Sequence, residues 1–197
     1  MPTARRMHVR DLALIASFAA LMAVLGLPGA LTMFGNAVPI TLQTLGVMLA
    51  GSILGRKRAF LALLVFLALV AAGLPLLAGG RGGLAVFAGP SAGYLVGWPL
   101  GAAVVGWLVE RRLPAYPVWW GLIANLAGGI GVVYLLGIPV QAAVLGTSSL
   151  AATALAAVIY LPGDITKAIV ATVVAAGVHK GYPAVSPTHE RSRSRVS

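Results

Sequence analysis

The chain has no cysteine and only four acidic residues, Asp11, Glu110, Asp164 and Glu190. Without cysteine there are no disulfides and no thiolate metal sites. Its three histidines, His8, His179 and His189, lie toward the termini. The apolar segments therefore hold no imidazole for a metal or for general-base work. No GxxxxGK[ST] sequence occurs, so the chain brings no nucleotide-hydrolysing loop of that type. No HExxH, Ser–His pair or paired acids fall inside the apolar segments. The expectation is a protein that is not an enzyme and needs no cofactor.

Charge is scarce as well. Charged residues make up 9% of the 197, against roughly a quarter in a soluble domain. Hydrophobic residues make up 59%, and mean hydropathy is +0.96. Several runs approach the ~20 apolar residues that a bilayer-crossing helix needs. Strand-like alternation of apolar and polar residues is absent, which argues against an outer-membrane barrel. The fold class expected is an all-α membrane protein. A net charge of +10 in a soluble chain would point to nucleic acid. Here the basic residues flank apolar runs, where they set topology and meet anionic headgroups. The lipid bilayer, not nucleic acid, is the partner expected from charge.

Six spans are expected, at about 12–27, 39–54, 59–77, 90–109, 117–136 and 162–178. The stretch 138–160 is long enough to span but lacks a basic flank at either end. It is expected to be an outer-face segment, a short helix packed over the bundle. The first span is preceded by Arg5, Arg6 and Arg10 but followed by no distinctive cleavage site, so no ordinary signal peptide is expected. Residues 1–11 then form a basic N-terminus, 12–180 the membrane domain, and 181–197 a polar, basic, disordered tail. Arg5, Arg6, Arg10, Arg56, Lys57, Arg58, Arg111, Arg112, Lys180, Arg191, Arg193 and Arg195 all fall on one side of this topology. By the positive-inside rule that side is the cytoplasm, with both termini on it.

Arg81 and Lys167 are the two basic residues that break the pattern. Lys167 sits in YLPGDITKAIV, one helical turn from Asp164. Ionisable groups inside a membrane usually face a polar cavity or each other. Two readings of the pair stand. Asp164 caps a helix that begins at Pro162-Gly163 and Lys167 neutralises it; or the pair lines an outward-opening pocket for a small polar ligand. Arg81 stands in GGRGG, where Gly82 and Gly83 would let backbone approach a ligand. Its guanidinium suits a carboxylate, or is a solvated charge. Gln43 and Asn125 read as helix–helix hydrogen bonds or ligand contacts, and Asn36 is a further polar group near span 2. Tyr94 follows the glycine-rich loop in GPSAGY, while Trp98, Trp107, Trp119 and Trp120 read as interface belt. Ala16 and Ala20, and Ala19 and Ala23, are small residues four apart in span 1, a spacing that lets helices approach closely in lipid.

VPITLQTLGVMLAG (38–51), GLPLLAGGRGGLAVFAGPSAGYLVGW (73–98) and YLPGDITKAIVA (160–171) occur in this order. Together they resemble the BioY family, the biotin-specific substrate-binding subunits (S-components) of energy-coupling factor (ECF) transporters. The chain departs from the family's usual pattern at Ser91-Ala92 and at Arg81. The resemblance implies a six-helix S-component bundle and biotin as ligand. It implies biotin held near the outer surface by Asp164 and Lys167; Tyr94, Gln43, Arg81, Gly82 and Gly83 are expected as further site residues from their own chemistry and position. It also implies docking of Ala16, Ala19, Ala20 and Ala23 on a transmembrane coupling (T) subunit. Two cytoplasmic ATPase subunits would supply energy, in a bacterial cytoplasmic membrane. The alternatives are an S-component for another vitamin, such as thiamine or riboflavin, and a membrane protein whose Asp164–Lys167 pair is only structural.

Overall fold

A computed structural model describes residues 8–29 and 38–182. Asn36, Arg5, Arg6, His189, Glu190 and nearly all of the polar tail lie outside the described residues. Among the described residues six main helices form: α1 (Val9–Val24), α2 (Gln43–Leu54), α3 (Arg56–Ala71), α4 (Ala92–Glu110), α5 (Val118–Leu145) and α6 (Leu150–Gly181). By length and composition α4, α5 and α6 can each cross a membrane. The protein is a helical membrane bundle.

The second helix is the centre of the molecule. It has 12 residues, and Gly46 through Leu54 are all buried. At ~1.5 Å per residue it spans about 18 Å, well short of the ~30 Å hydrocarbon layer. Non-helical residues 38–42 continue its path. Such backbone is tolerated at membrane depth only inside protein or beside a cavity, with its polar groups satisfied. Side chains of α6 do this. Tyr160 donates to the Val38 carbonyl at 2.9 Å, and Lys167 to the Thr41 carbonyl at 2.6 Å.

Glycine brings α4 against α5. Gly93, Gly97 and Gly101 recur every fourth residue, on one helix face. A Cβ at Gly101 would lie 2.6 Å from the Gly128 carbonyl oxygen, and one at Gly97 3.1 Å from the Val133 backbone. Small residues at this spacing permit close helix contact without a hydrophobic driving force. Opposite Gly101, α5 carries a π-helical segment, Leu126–Val132. Deeper in the bundle Ser52 donates to Asn125 at 3.0 Å, and Asn125 to Thr172 at 3.0 Å. Asn125 is thus a link among α2, α5 and α6, as the helix–helix reading expects.

The stretch 138–160 is not a separate helix packed over the bundle. Its first part continues α5 to Leu145, and Gly146, at φ +64°, ends that helix. Ser149 then caps α6 by accepting from the Ala152 amide at 3.2 Å. Pro139 lies inside α5, whereas Pro162 stands in the first turn of the α-helical part of α6, Leu161–Gly181, after a 3-10 turn at Val158–Tyr160, close to the start expected at Pro162-Gly163. Membrane helices accommodate proline because neighbouring groups re-satisfy the freed carbonyls. Span 3 is shorter than expected: α3 stops at Ala71 and a glycine-rich loop takes over.

Contacts between helix ends separate the two poles of the bundle. At one pole Arg58 pairs with Asp11 at 2.6 Å, and Glu110 accepts from the Arg56 amide at 2.7 Å. There too, Tyr116 stacks on His179, 4.8 Å between ring centroids. The basic turns Arg56–Arg58 and Arg111-Arg112 therefore share a pole with Lys180. The opposite pole holds the start of α2, the 72–83 loop, and Asp164 with Lys167.

Candidate functional site

At that opposite pole lies a cavity of about 580 Å³, open mouth included. Residues 38–44, the loop at Leu77 and Arg81, the first turns of α4, the middle of α5 and the first half of α6 enclose it. Asp164, Lys167, Tyr94, Gln43 and Arg81 all line it, so five site residues distant in sequence come together.

Asp164 and Lys167 share the buried face of α6 with Ala168, Ala171, Thr172 and Ala175. That spacing turns one helix surface toward α2. Lys167 donates to Asp164 Oδ1 at 2.9 Å, Thr44 Oγ1 at 2.9 Å and the Thr41 carbonyl at 2.6 Å. An ammonium has three protons, and all three are used. The Thr44 hydroxyl donates to Asp164 Oδ1 at 3.0 Å, and Tyr134 donates to Oδ2 at 2.7 Å. Each carboxylate oxygen can accept twice. Asp164 Oδ2 thus keeps one acceptor position beyond Tyr134. The two opposite charges neutralise each other inside the protein, where an unpaired charge would be far more costly.

Aromatic side chains make the walls. Tyr94 meets Tyr134 edge-on at 5.9 Å and donates to the buried Gln141 at 2.8 Å. Gly137 makes room for this, since a Cβ there would strike the Tyr94 ring. Trp98 is 5% exposed and lines the cavity, packed on Phe66. Its place is therefore the interior, not an interface belt. The belt reading suits Trp107 and Trp119, which are exposed.

Gln43 lines the cavity, but its amide is spent elsewhere. The amide nitrogen donates to the Met22 and Leu76 carbonyls, each at 3.1 Å, and the oxygen accepts from the Ala78 amide at 3.2 Å. It staples α1 and the 72–83 loop to α2. Arg81 closes a tight turn with Leu77, and its Nε donates to the Ala78 carbonyl at 3.2 Å. Partial burial lowers its pKa from the usual arginine value. The rest of its guanidinium remains available to the cavity. Gly82 and Gly83 do not line the cavity. Gly82 lies against the Leu74 carbonyl, where a Cβ would clash, and Gly83, at φ +81°, donates to the Val70 carbonyl at 2.8 Å. Both shape the loop that carries Arg81.

Of the span 1 alanines, Ala16 and Ala20 face outward, Ala23 is half-buried and Ala19 is 4% exposed within the core. Thr41, Thr44, Tyr134 and Tyr160 complete the cavity. Tyr160 precedes Asp164 by four residues and Lys167 by seven, the same face of α6, so spacing could have found it. For Tyr134 no local signal exists.

The profile of the BioY family matches residues 1–184. This chain belongs to the BioY family. A biotin transporter BioY of Rhizobium etli is 46% identical over 184 residues, covering 90% of this chain and 97% of that one. A probable biotin transporter BioY of Bacillus subtilis is 51% identical over 165 residues, covering 84% and 88%. Among solved structures, the S-component for biotin from an ECF-type ABC transporter superposes with a TM-score of 0.82 at 31% identity, covering 89% of this chain and 95% of that one. The six-helix S-component fold of this BioY-family chain is thereby established, and its relatives are named as transporters, not as enzymes.

Proposed function

We propose that this protein binds biotin in the cavity above Asp164 and Lys167 and serves as the biotin-specific S-component of an ECF transporter. The supporting observation is a buried, hydrogen-bonded Asp164–Lys167–Thr44–Tyr134 cluster facing an aromatic-walled cavity in a BioY-family chain. Biotin has a ureido ring with two N–H donors and a carbonyl, an apolar thioether ring and chain, and a carboxylate. The spare acceptor position on Asp164 Oδ2 suits a ureido N–H. The tyrosine and tryptophan faces suit the apolar rings, and Arg81 at the loop suits the carboxylate. Lys167 meets the ureido oxygen only by releasing one existing partner.

The membrane is the bacterial cytoplasmic membrane, with the Arg56–Arg58 pole inside by the positive-inside rule. A transmembrane coupling subunit docks on the outward face of α1, where Ala16 and Ala20 lie, and two ATPase subunits supply the energy. The reading of Asp164–Lys167 as purely structural draws on one observation: all three Lys167 protons are satisfied without a ligand. Calorimetric titration of the purified protein with biotin, thiamine and riboflavin tests the ligand. Saturable one-to-one binding of biotin alone is expected; binding of thiamine or riboflavin instead would move the site to another vitamin.

A further inference from the structure

The turn between α4 and α5 carries a second cluster, at the basic pole and away from the cavity. The Arg111 guanidinium lies 3.6 Å from the Trp107 ring centroid, and that of Arg112 4.9 Å from the Trp120 centroid. Both arginines are exposed, and among the described residues neither forms an ion pair. The adjacent acid, Glu110, is occupied: it accepts from the Arg56 amide at the start of α3, where helix polarity favours an anion. Trp120 donates its indole N–H to the Leu108 carbonyl at 2.8 Å and meets Trp119 edge-on at 5.6 Å. The Trp120 ring under Arg112 is therefore held in place, while Trp119 stands 57% exposed beside it.

A guanidinium resting on a ring face keeps its in-plane N–H donors free, and that fork matches phosphate oxygens. Indoles gather at the headgroup level of a membrane. Next to the turn, Leu100, Val118 and Ile123 expose apolar side chains. The other basic turn is built differently, since Arg58 is buried against Asp11.

We infer that Trp107, Arg111, Arg112, Trp119 and Trp120 form a binding site for the phosphate headgroup of one anionic phospholipid. Charge, a phosphate-shaped donor fork and a neighbouring apolar surface together favour a lipid over an acidic protein partner. The arginines supply the attraction. The tryptophans pre-order them, so that less side-chain freedom is lost on binding.

Native mass spectrometry of the full chain, released from nanodiscs of mixed phosphatidylglycerol and phosphatidylcholine, tests this. Wild type should retain one phosphatidylglycerol in preference to phosphatidylcholine. R111Q/R112Q should lower that retention by roughly tenfold or more, from the loss of two surface charges. Trp107→Leu, which keeps both charges, should lower it by roughly threefold. Lys57→Gln, in the other basic turn, should leave it unchanged, and inorganic phosphate should not displace the lipid. R111K/R112K keeps the charge but not the fork and should fall between, which serves if the glutamine variant does not fold. No preference in wild type, or equal losses from Lys57→Gln and R111Q/R112Q, would reduce the cluster to general surface charge. Full retention in Trp107→Leu would remove the pre-ordered site. Retained lipid with lost assembly onto coupling subunits in R111Q/R112Q would make it a protein interface instead.

Discussion

At the scale of single residues, the Asp164–Lys167 pair has separable consequences for stability and binding. Removing one partner of a buried ion pair leaves the other uncompensated, at a cost of about 3–5 kcal/mol. Lys167→Met alone should therefore lower unfolding stability in detergent by about that amount. The double variant Asp164→Asn/Lys167→Met should recover most of the loss, because no charge remains buried. Biotin binding should not recover with it. A second residue-scale expectation concerns Gln43. Gln43→Leu leaves two carbonyls and one amide without a partner, at ~1–3 kcal/mol for a buried unsatisfied group. Chemical denaturation should show that loss, with biotin affinity altered only through the loosened loop. Spacing alone places Asp164 and Lys167 on one face of a helix. It also identifies both as exceptional, since an acid and a base lie within an apolar run. Nothing local ties Tyr134 to Asp164, which lies 30 residues further along the chain. Gln43 is legible as a buried amide, but its three partners come from other segments and are visible only after folding.

At the scale of elements, helix packing rests on absent side chains. Gly101→Leu should destabilise the bundle by about 1–3 kcal/mol, since overpacking forces backbone to move. Gly177, in α6, has nothing within 4 Å of an added Cβ. Gly177→Ala should be neutral or slightly stabilising, through reduced freedom of the unfolded chain. Thermal unfolding of the two variants in one detergent makes the comparison. The glycines of α4 show what sequence conveys and what it does not. Their four-residue spacing announces a close contact, but not that the partner is the π-helical segment of α5. Helix ends are less legible. Pro139 falls where α5 runs on, because a packed membrane helix overrides the local preference, while Pro162 does mark the α-helical start that it suggests. Conversely, apolar composition through residue 77 hides the end of α3 at Ala71.

At the scale of the whole molecule, polarity of the bundle sets sidedness and partners. The natural absence of cysteine permits clean single-cysteine mapping. In intact cells an impermeant thiol reagent should label Leu84→Cys, beside the cavity pole, and not Lys57→Cys at the basic pole. The reverse pattern would invert the topology. The proposed docking of a coupling subunit on α1 makes a distinct demand. Ala16→Trp and Ala20→Trp should preserve biotin binding and abolish co-purification with that subunit. Ala19→Trp should instead disrupt the fold, since Ala19 is buried against its neighbours. The six-helix count and the basic-pole pattern are readable from composition, because bilayer thickness and charge bias act on long stretches of chain. The cavity is not, because the residues around it converge from four helices and two non-helical segments.

The most direct test is a calorimetric titration of biotin into wild type and into the folded Asp164→Asn/Lys167→Met variant. Wild type should bind one biotin, and the variant should bind at least ~100-fold more weakly, consistent with the loss of charged hydrogen bonds. Equal affinity in the two proteins would contradict the assignment of the Asp164–Lys167 cavity as the biotin site.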